Sequence, residues 1–544
     1  METDCTLKSS IHPLDADNEP DLNDKPKKAE IRIIAYSAAL LGFLLASIAF
    51  FERPIIVDDG VMYLDAAGHL LAGDLRGAYH IYSRLFYPAL IAATSSMASL
   101  PLEESAWLVN SLFNALLAYC FVSITGMLGA NRQTLLFSAF LILTLPEIVG
   151  WRADVIRDPG FWAFHMLSVL LFLRFMKAGQ IPHAIGWGAT AVIATLFRSQ
   201  GVVIMVLLPF VLLWVSPGPI RQRVRLLIKA HTVTLVTFAA IGVWALFGPA
   251  IDLSDYTLGG HPLLEPLQRV ESFLNSVPEA MADRVSLVSR AIPRDYATLT
   301  LTAALALILM KKFAGIMTPF YWPLYLIGPL RCAFRAPRAF IHVMVWLFAI
   351  NLCILLVYLI PNFDLSTRWM IPATLILLLP VPFFLSAALD RWKSRNSLSR
   401  WERLLYPILA LGLLYIVLDG FISTSPSKTY LRDTGHWIKE NLPEGGKLFS
   451  NNRRIDYYAG YPVDWGWAAS PIATPEFRQQ VRDAHADMYA VQAKDENSRK
   501  LALELLRSES LKPLREFTNG DDWVIIYGRA DDQTAAPSRP GILE

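Results

Sequence analysis

Charged residues are scarce in this sequence. Only 18 % of its 544 residues are Asp, Glu, Lys or Arg, and 54 % are hydrophobic, whereas soluble globular domains contain about 25 % charged residues. The net charge of +2 gives no indication of a nucleic-acid partner. Many apolar runs approach the roughly 20 residues that a helix needs to cross a bilayer. The sequence therefore predicts a polytopic α-helical membrane protein.

Cysteines are also few, and none lies in the hydrophilic C-terminal third; the four are Cys5, Cys120, Cys332 and Cys353. Their spacings match no zinc or redox motif. Because the C-terminal segment contains no cysteine, a disulfide framework is excluded there. Residues 1–30 lack the apolar core and cleavage site of a signal peptide. Their polar composition predicts a disordered cytosolic arm.

About eleven apolar segments predict membrane spans between residues 31 and 422, the expected transmembrane domain. The predicted spans are 33–51, 107–128, 134–150, 160–176, 183–197, 201–215, 230–249, 296–310, 340–360, 369–388 and 404–422. The apolar segment 313–330 contains Pro319, Pro323 and Pro329. We expect this segment to be broken or interfacial, because proline interrupts helices.

The loops between these spans differ in basic residues. Lys and Arg concentrate before the first span and in the loops 216–229, 311–339 and 389–403. Positively charged loops face the cytosol, so we expect a cytosolic N-terminus. An odd number of spans then places the loop 52–106 and residues 423–544 outside the cytosol. Apolar residues at helical spacing in the first loop predict helices lying along the membrane surface.

Residues 423–544 show mixed periodicity. The stretches "TYLRDTGHWIKENL" and "ENSRKLALELLRS" have helical spacing, whereas "GKLFSN", "MYAVQA" and "DDWVIIYG" are strand-like. The segment is long enough to form its own core. We predict a small α/β extracytoplasmic domain.

Two adjacent aspartates, Asp58 and Asp59, follow the first span and open an amphipathic segment. Aspartate is a common helix N-cap and favours the positive end of the helix dipole, which explains one of the two. The other carboxylate could be exposed to solvent, act as a general base or contribute to a divalent-metal site. Two carboxylates alone rarely complete the ligand shell of such a cation, so we predict no required metal or other cofactor.

Arginines accumulate at the predicted outer ends of the spans, where basic residues are disfavoured: Arg84, Arg152, Arg157, Arg198 and Arg368. Each could extend its side chain to the interface. Together they indicate an anionic partner such as a lipid phosphate, which Arg binds through paired hydrogen bonds. A carboxylate base facing such cations could activate an acceptor hydroxyl while a lipid phosphate departs. The pattern thus predicts sugar transfer from a polyprenyl-phosphate donor.

Several motifs resemble those of membrane glycosyltransferases with the GT-C fold, in the same order along residues 30–460. They are "VDDGVMYLDAAGHLLAGD", "YPALIAATSSM", "GWRADVIRDPGFWAFHMLSVLLFLRFM", "LFRSQGVVIMVLLPFVLL", "STRWMIPATLILLLP" and "YLRDTGHWIKENLPEGGKLFSNNRRIDYYAGYP". The last resembles the branch that contains protein O-mannosyltransferases and the lipid A aminoarabinose transferase.

The resemblance implies an inverting transferase with a catalytic aspartate in the first outer loop. Asp59, or alternatively Asp58, would be the base. Arg368 would contact the donor phosphate, with Arg198 and Arg152 as further candidates. Asp154 matches the acidic residue of the second outer loop, although it could equally pair with a neighbouring arginine.

The resemblance also implies the surroundings of the enzyme. We expect a bacterial inner membrane, a periplasmic C-terminal domain and contacts with membrane lipids. The acceptor could be a lipid, a glycan or a protein. A transporter or flippase of lipid-linked sugars is the alternative function, and an inactive scaffold of the same fold is another. Span centres that are mostly apolar, together with the lack of an evident internal repeat, favour an enzyme over a transporter.

Overall fold

The computed structural model describes residues 27–52, 55–247, 281–327, 330, 333–362, 364–394, 398, 400–421, 428–466, 468–509, 511–520 and 522–529. The predicted disordered arm lies outside the described residues up to residue 26, as do Pro329 and most of the predicted loop 250–295. The chain divides into two compact units. The first contains residues 1–49 and 107–422, and the second contains residues 50–106 and 423–544.

All regular secondary structure in the described residues of the first unit is helical. Its elements, including two helices that cross the unit boundary, are α1 (Lys28–Glu52), α5 (Leu102–Met127), α6 (Arg132–Thr144), α7 (Pro146–Trp151), α8 (Asp158–Ala178), α9 (Ile181–Phe197), α10 (Gln200–Leu207), α11 (Leu212–Val215), α12 (Ile220–Ala230), α13 (Thr232–Phe247), α14 (Arg294–Ile316), α15 (Thr318–Tyr321), α16 (Arg338–Asn362), α17 (Thr367–Leu378), α18 (Val381–Lys393) and α19 (Arg400–Phe421). Short 3₁₀ turns, Leu208–Val211 and Trp322–Tyr325, follow α10 and α15.

By length and composition, six described helices can cross a membrane, and up to eight spans result if two bent helix pairs each count once. The six are α1, α5, α8, α14, α16 and α19; the bent pairs are α12–α13 and α17–α18. The chain is therefore a multi-pass membrane protein, but a count of eleven spans is not confirmed. The three remaining predicted spans correspond to α6, α9 and α10–α11, which are apolar but shorter than a full crossing.

Prolines explain much of this irregularity. Pro380 separates α17 from α18, and their axes differ by 46°, because proline cannot continue the backbone hydrogen bonds of the preceding helix. The predicted break in 313–330 is present in the described residues. There α14 ends at Ile316, and only α15 and a 3₁₀ turn follow.

The second unit combines two distant parts of the chain. Residues 50–106 supply α2 (Asp58–Leu71), α3 (Leu75–Ile81) and α4 (Phe86–Ala98). The C-terminal segment supplies α20 (Thr429–Asn441), β1 (Leu448–Ser450), α21 (Arg453–Tyr458), α22 (Pro475–Ala484), β2 (Met488–Ala493), α23 (Glu496–Ser508), β3 (Leu511–Thr518) and β4 (Trp523–Arg529). From the sequence we expected residues 52–106 to belong with the transmembrane helices, but the structure groups them with the C-terminal segment.

The four strands form one mixed sheet in the order β1-β2-β4-β3. Strand β1 is parallel to β2, with Leu448 opposite Met488, and the remaining neighbours are antiparallel. Every residue of β2 is buried. Successive side chains of a strand point to opposite faces, so a strand buried throughout indicates that both faces of the sheet are covered.

The two faces have separate apolar cores. Tyr489 and Val491 of β2 pack on one face with residues of α22 and α23. Met488 and Ala490 pack on the other face with α20, α21 and, from the first outer loop, Ile55. The first outer loop therefore contributes to the core of the same unit as the sheet.

Candidate functional site

In the first unit, two arginines share one buried carboxylate. Asp158, the first residue of α8, forms an ion pair with Arg198 Nη1, and its other oxygen lies 3.8 Å from Arg368 Nη1. The side chains of Asp158 and Arg198 are only 4 % and 6 % exposed, whereas that of Arg368 is 24 % exposed. Of the two arginines around this carboxylate, Arg368 is the more accessible.

Local structure accounts for this arrangement. Arg198 is the extended C-cap residue between α9 and α10, in the short turn predicted from the sequence. Arg368 is the second residue of α17. Asp158 lies at the N-terminal end of α8, where the helix dipole stabilises a negative charge. Three interruptions of apolar helices therefore bring three charged groups together.

Aromatic rings cover both arginines. The guanidinium carbon of Arg198 lies 4.5 Å from the ring centroid of Trp369, and that of Arg368 lies 5.0 Å from Trp151. Trp162 Nε1 donates a hydrogen bond of 3.3 Å to the backbone carbonyl of Arg368. Arginine stacks well on aromatic rings, so the tryptophans fix the orientation of both cations.

The other two predicted residues of this unit have different surroundings. Arg152 is 6 % exposed and its Nη2 donates to the carbonyl of Leu143, near the C-terminal end of α6. This contact satisfies a carbonyl that lacks a helical partner. Asp154 is 9 % exposed, and its backbone carbonyl accepts a hydrogen bond from Asn110 Nδ2 at 3.0 Å. The predicted roles of both residues stay predictions.

In the second unit, Asp58 is not a helix N-cap. The N-cap of α2 is Val57, and Asp58 and Asp59 occupy its first turn. Both oxygens of Asp58 accept hydrogen bonds from Arg454, at 2.7 Å from Nε and 2.9 Å from Nη2. Burial raises the pKa of Asp58, but the hydrogen bond and the charge of Arg454 together outweigh this effect. The pKa of Asp58 therefore lies below its ordinary value.

The pairing with Arg454 affects the basicity of Asp58. A carboxylate with a lowered pKa and a guanidinium on both oxygens is a weaker base. Asp59 is half-buried in the same helical turn. The preference for Asp59 as the base stays a prediction. Arg84, the arginine of the first outer loop that was predicted at a span end, is exposed between α3 and α4.

Helix α21 holds the first outer loop at several further points. Tyr457 Oη donates to Glu103 Oε1 at 2.9 Å, and Tyr458 Oη accepts from the amide of Ile56 at 2.9 Å. Just beyond α21, Trp465 Nε1 donates to Asp65 Oδ2 at 2.6 Å. Residues 453–465 thus fix both the segment before α2 and α2 itself.

Sequence reasoning missed two partners, Asp158 and Arg454. Asp158 lies in the quoted second-loop motif, in an Asp-Pro pair at the start of an apolar run, which is a common signature of a helix N-terminus. Arg454 carries no comparable local signal, because its partner lies 396 residues away.

A cleft with a volume of about 1060 Å³ lies within the second unit. Its wall includes Asp58, Asp456 and Tyr461. Burial raises the pKa of Asp456 to about 7, although Ser450 and Arg453 partly offset this effect. Among the described residues, no group of three or more His, Cys, Asp or Glu side chains could share a metal ion. The predicted independence from metal stays a prediction.

No family model and no curated protein matches the sequence. Among solved structures, the chain is similar to the archaeal oligosaccharyltransferase AglB from Archaeoglobus fulgidus, in complex with an inhibitory peptide and a dolichol-phosphate. The TM-score is 0.50 at 12 % sequence identity, and the match covers 94 % of this chain and 75 % of that chain. At this identity the similarity concerns the fold alone: the chain shares its overall fold with the structure of this oligosaccharyltransferase.

Proposed function

We propose that this protein is a membrane glycosyltransferase that moves a sugar from a polyprenyl-phosphate donor to an extracytoplasmic acceptor hydroxyl. The observation that carries the proposal is the pair of arginines around Asp158, which tryptophans orient. Such a group suits a phosphate at the membrane interface. The fold shared with an oligosaccharyltransferase, whose structure holds dolichol-phosphate, supports the same chemistry.

Each of these residues has its own role in the reaction. Arg368 contacts the donor phosphate, and Arg198, held by Asp158, adds positive potential as the phosphate leaves. Asp59 accepts the proton of the acceptor hydroxyl as the sugar carbon–phosphate oxygen bond breaks and the new glycosidic bond forms. The departing lipid phosphate is stable as an anion, so its release needs no general acid.

The first test separates donor binding from chemistry. Arg368→Gln should weaken binding of polyprenyl phosphate about tenfold, through loss of a charge-assisted hydrogen bond. Arg221→Gln, which removes an exposed cation from α12, is the matched control and should bind like wild type. Native mass spectrometry of the purified protein with added polyprenyl phosphate measures both. Equal binding by all three proteins contradicts the assignment of Arg368.

The second test addresses the base. Asp59→Asn should lower transfer by about 10²–10⁴-fold while polyprenyl phosphate still binds. The measurement is release of polyprenyl phosphate from the sugar-bearing lipid that co-purifies with the protein. If Asp59→Asn and Asp58→Asn both keep full release, neither aspartate is the base. Wild-type movement of the intact lipid across vesicles without release would instead identify a transporter.

A further inference from the structure

The cleft of the second unit lies at the carboxyl ends of two parallel strands. Strands β1 and β2 run side by side, and the residues that follow them, Asn451, Asn452, Lys494 and Asp495, line the cleft. Crevices beyond the carboxyl ends of parallel strands are the usual ligand sites of α/β sheets. The volume of about 1060 Å³ exceeds most single-ligand pockets, which span about 300–1,000 Å³.

The floor of the cleft is a rigid hydrogen-bonded layer. Gln492 is only 9 % exposed; its Nε2 donates to Tyr430 Oη and its Oε1 accepts from Asn452, both at 2.7 Å. Asn451 bonds the backbone of Gln492 through both ends of its amide, at 2.7 and 3.0 Å. A preorganised polar floor on strand ends is a property of binding sites.

The charge of the cleft selects the ligand. Five aspartates line it against one arginine and one lysine, so anions such as phosphates are disfavoured. All five carboxylates already accept hydrogen bonds within this unit: Asp58 from Arg454, Asp483 from Gln479, Asp495 from the N-terminus of α23, Asp464 from the amide of Gly466 and Asp456 from Ser450. A cationic ligand would therefore compete with these partners for the carboxylate oxygens.

The wall residues together offer hydrogen bonds of both kinds. Asp456 and Asp464 supply oxygen acceptors, Lys494 supplies donors, and Tyr461 supplies an aromatic ring. Carboxylates interleaved with amides and hydroxyls match ligands whose groups both donate and accept hydrogen bonds. Sugar hydroxyl groups have this property.

We propose that this cleft binds an uncharged oligosaccharide and is the acceptor site of the transferase. The assignment as acceptor site rests on the proposed function, because the acceptor must present a hydroxyl to the enzyme. The binding of an oligosaccharide does not depend on that function. A carbohydrate acceptor follows from the cleft's polarity, size and charge, whereas an acyl chain would leave its polar wall unsatisfied.

The test measures binding without donor, so its outcome does not depend on transferase activity. Full-length protein in nanodiscs is titrated with neutral trimers of glucose, mannose and N-acetylglucosamine, a galacturonic acid trimer and trilysine, by saturation-transfer NMR and calorimetry. At least one neutral trimer should bind, and Asp456→Asn and Tyr461→Ala should each weaken this binding about tenfold. Glu440→Gln removes an exposed carboxylate from α20 and should bind like wild type.

Several results would overturn the proposal. One is that no neutral trimer binds; another is that both cleft variants bind as well as the control. Tighter binding of the acidic trimer or of trilysine would show a charged ligand instead. Thermal unfolding of each variant, recorded alongside, ensures that lost binding is not lost folding. If the cleft binds sugar but Asp59→Asn keeps full transfer, the binding site stands and the proposed catalytic base does not.

Discussion

At the scale of the single residue, Asp456 combines a carboxyl group of raised pKa with a place in the cleft wall. Burial disfavours its charge, and neither the hydroxyl of Ser450 nor the cation of Arg453 restores the ordinary pKa. The unfolded chain releases this proton near the ordinary pKa of 3.8, whereas the folded protein keeps it up to about pH 7. The stability contributed by this proton is fully present below the lower value and is lost as pH rises through 7.

This difference predicts a pH-dependent variant effect. Between pH 5 and 8, the melting temperature of the wild-type protein should fall more than that of Asp456→Asn, which has no titrating group at this position. The difference should amount to about 2–4 °C for each kcal/mol involved. Differential scanning fluorimetry of purified protein measures it, with Glu440→Gln as control. Parallel curves for Asp456→Asn and wild type would show that Asp456 titrates normally.

The residue scale also separates what a single sequence reveals from what it does not. Asp58, Arg198 and Arg368 attract attention because charges near apolar spans are costly. Their partners Asp158 and Arg454 carry no local signal that identifies them as partners. Pairing depends on tertiary structure. The sequence therefore identifies these charged residues as candidates but does not show which residues pair.

At the scale of the element, patterns predicted some boundaries well. Strand β2 and helix α23 coincide with the stretches "MYAVQA" and "ENSRKLALELLRS", because their periodicity is undisturbed. Strand β3 was missed, since Pro513 interrupts it at a register shift and most of its residues are exposed. Edge strands tolerate such residues, and local pattern therefore identifies them poorly.

Helices α20 and α21 approach so closely that a methyl group has no space between them. A Cβ atom on Gly435 would lie 2.5 Å from Tyr458 Cβ and 2.9 Å from the carbonyl oxygen of Ile455. Backbone atoms cannot move aside as a flexible side chain can. Gly435 is therefore required by packing, although alanine is the better helix former.

Gly435→Ala should consequently lower stability by about 1–3 kcal/mol, the usual cost of overpacking. It should also reduce transfer, because α21 holds Asp58 and Ile56 of the first outer loop. Gly315→Ala on α14, where a Cβ would meet nothing within 4 Å, is the matched control and should be neutral or slightly stabilising. Thermal unfolding and limited proteolysis measure the effect; equal stability of both variants would contradict the close-packing account.

At the scale of the whole molecule, hydropathy identified the membrane class but not the number of crossings. Each predicted span coincides with an apolar helix, a pair of short helices or a bent pair, yet among the described residues six helices have the full length. Hydropathy registers apolar composition, whereas a crossing also requires a continuous helix. The joining of residues 50–106 to the C-terminal segment depends on contacts between distant parts of the chain, which no local pattern encodes.

The proposed topology is testable on the intact chain. Alkaline phosphatase fused after residue 430 should be active, because the positive-inside rule places this segment outside the cytosol. The same reporter in the basic loop 389–403 should be inactive, and a green fluorescent protein there should fluoresce. Phosphatase activity at the loop, or its absence after residue 430, would contradict the proposed orientation.

The Asp58–Arg454 pair has a consequence for biosynthesis. The two residues are 396 positions apart, and ribosomes add about 5–20 residues per second. The first outer loop therefore emerges roughly 20–80 s before the helix that binds it has been made. During that interval the first outer loop, including Asp58, Glu103 and α2, lacks these partners. A chaperone that shields this loop would therefore have its greatest effect while the chain is still being translated.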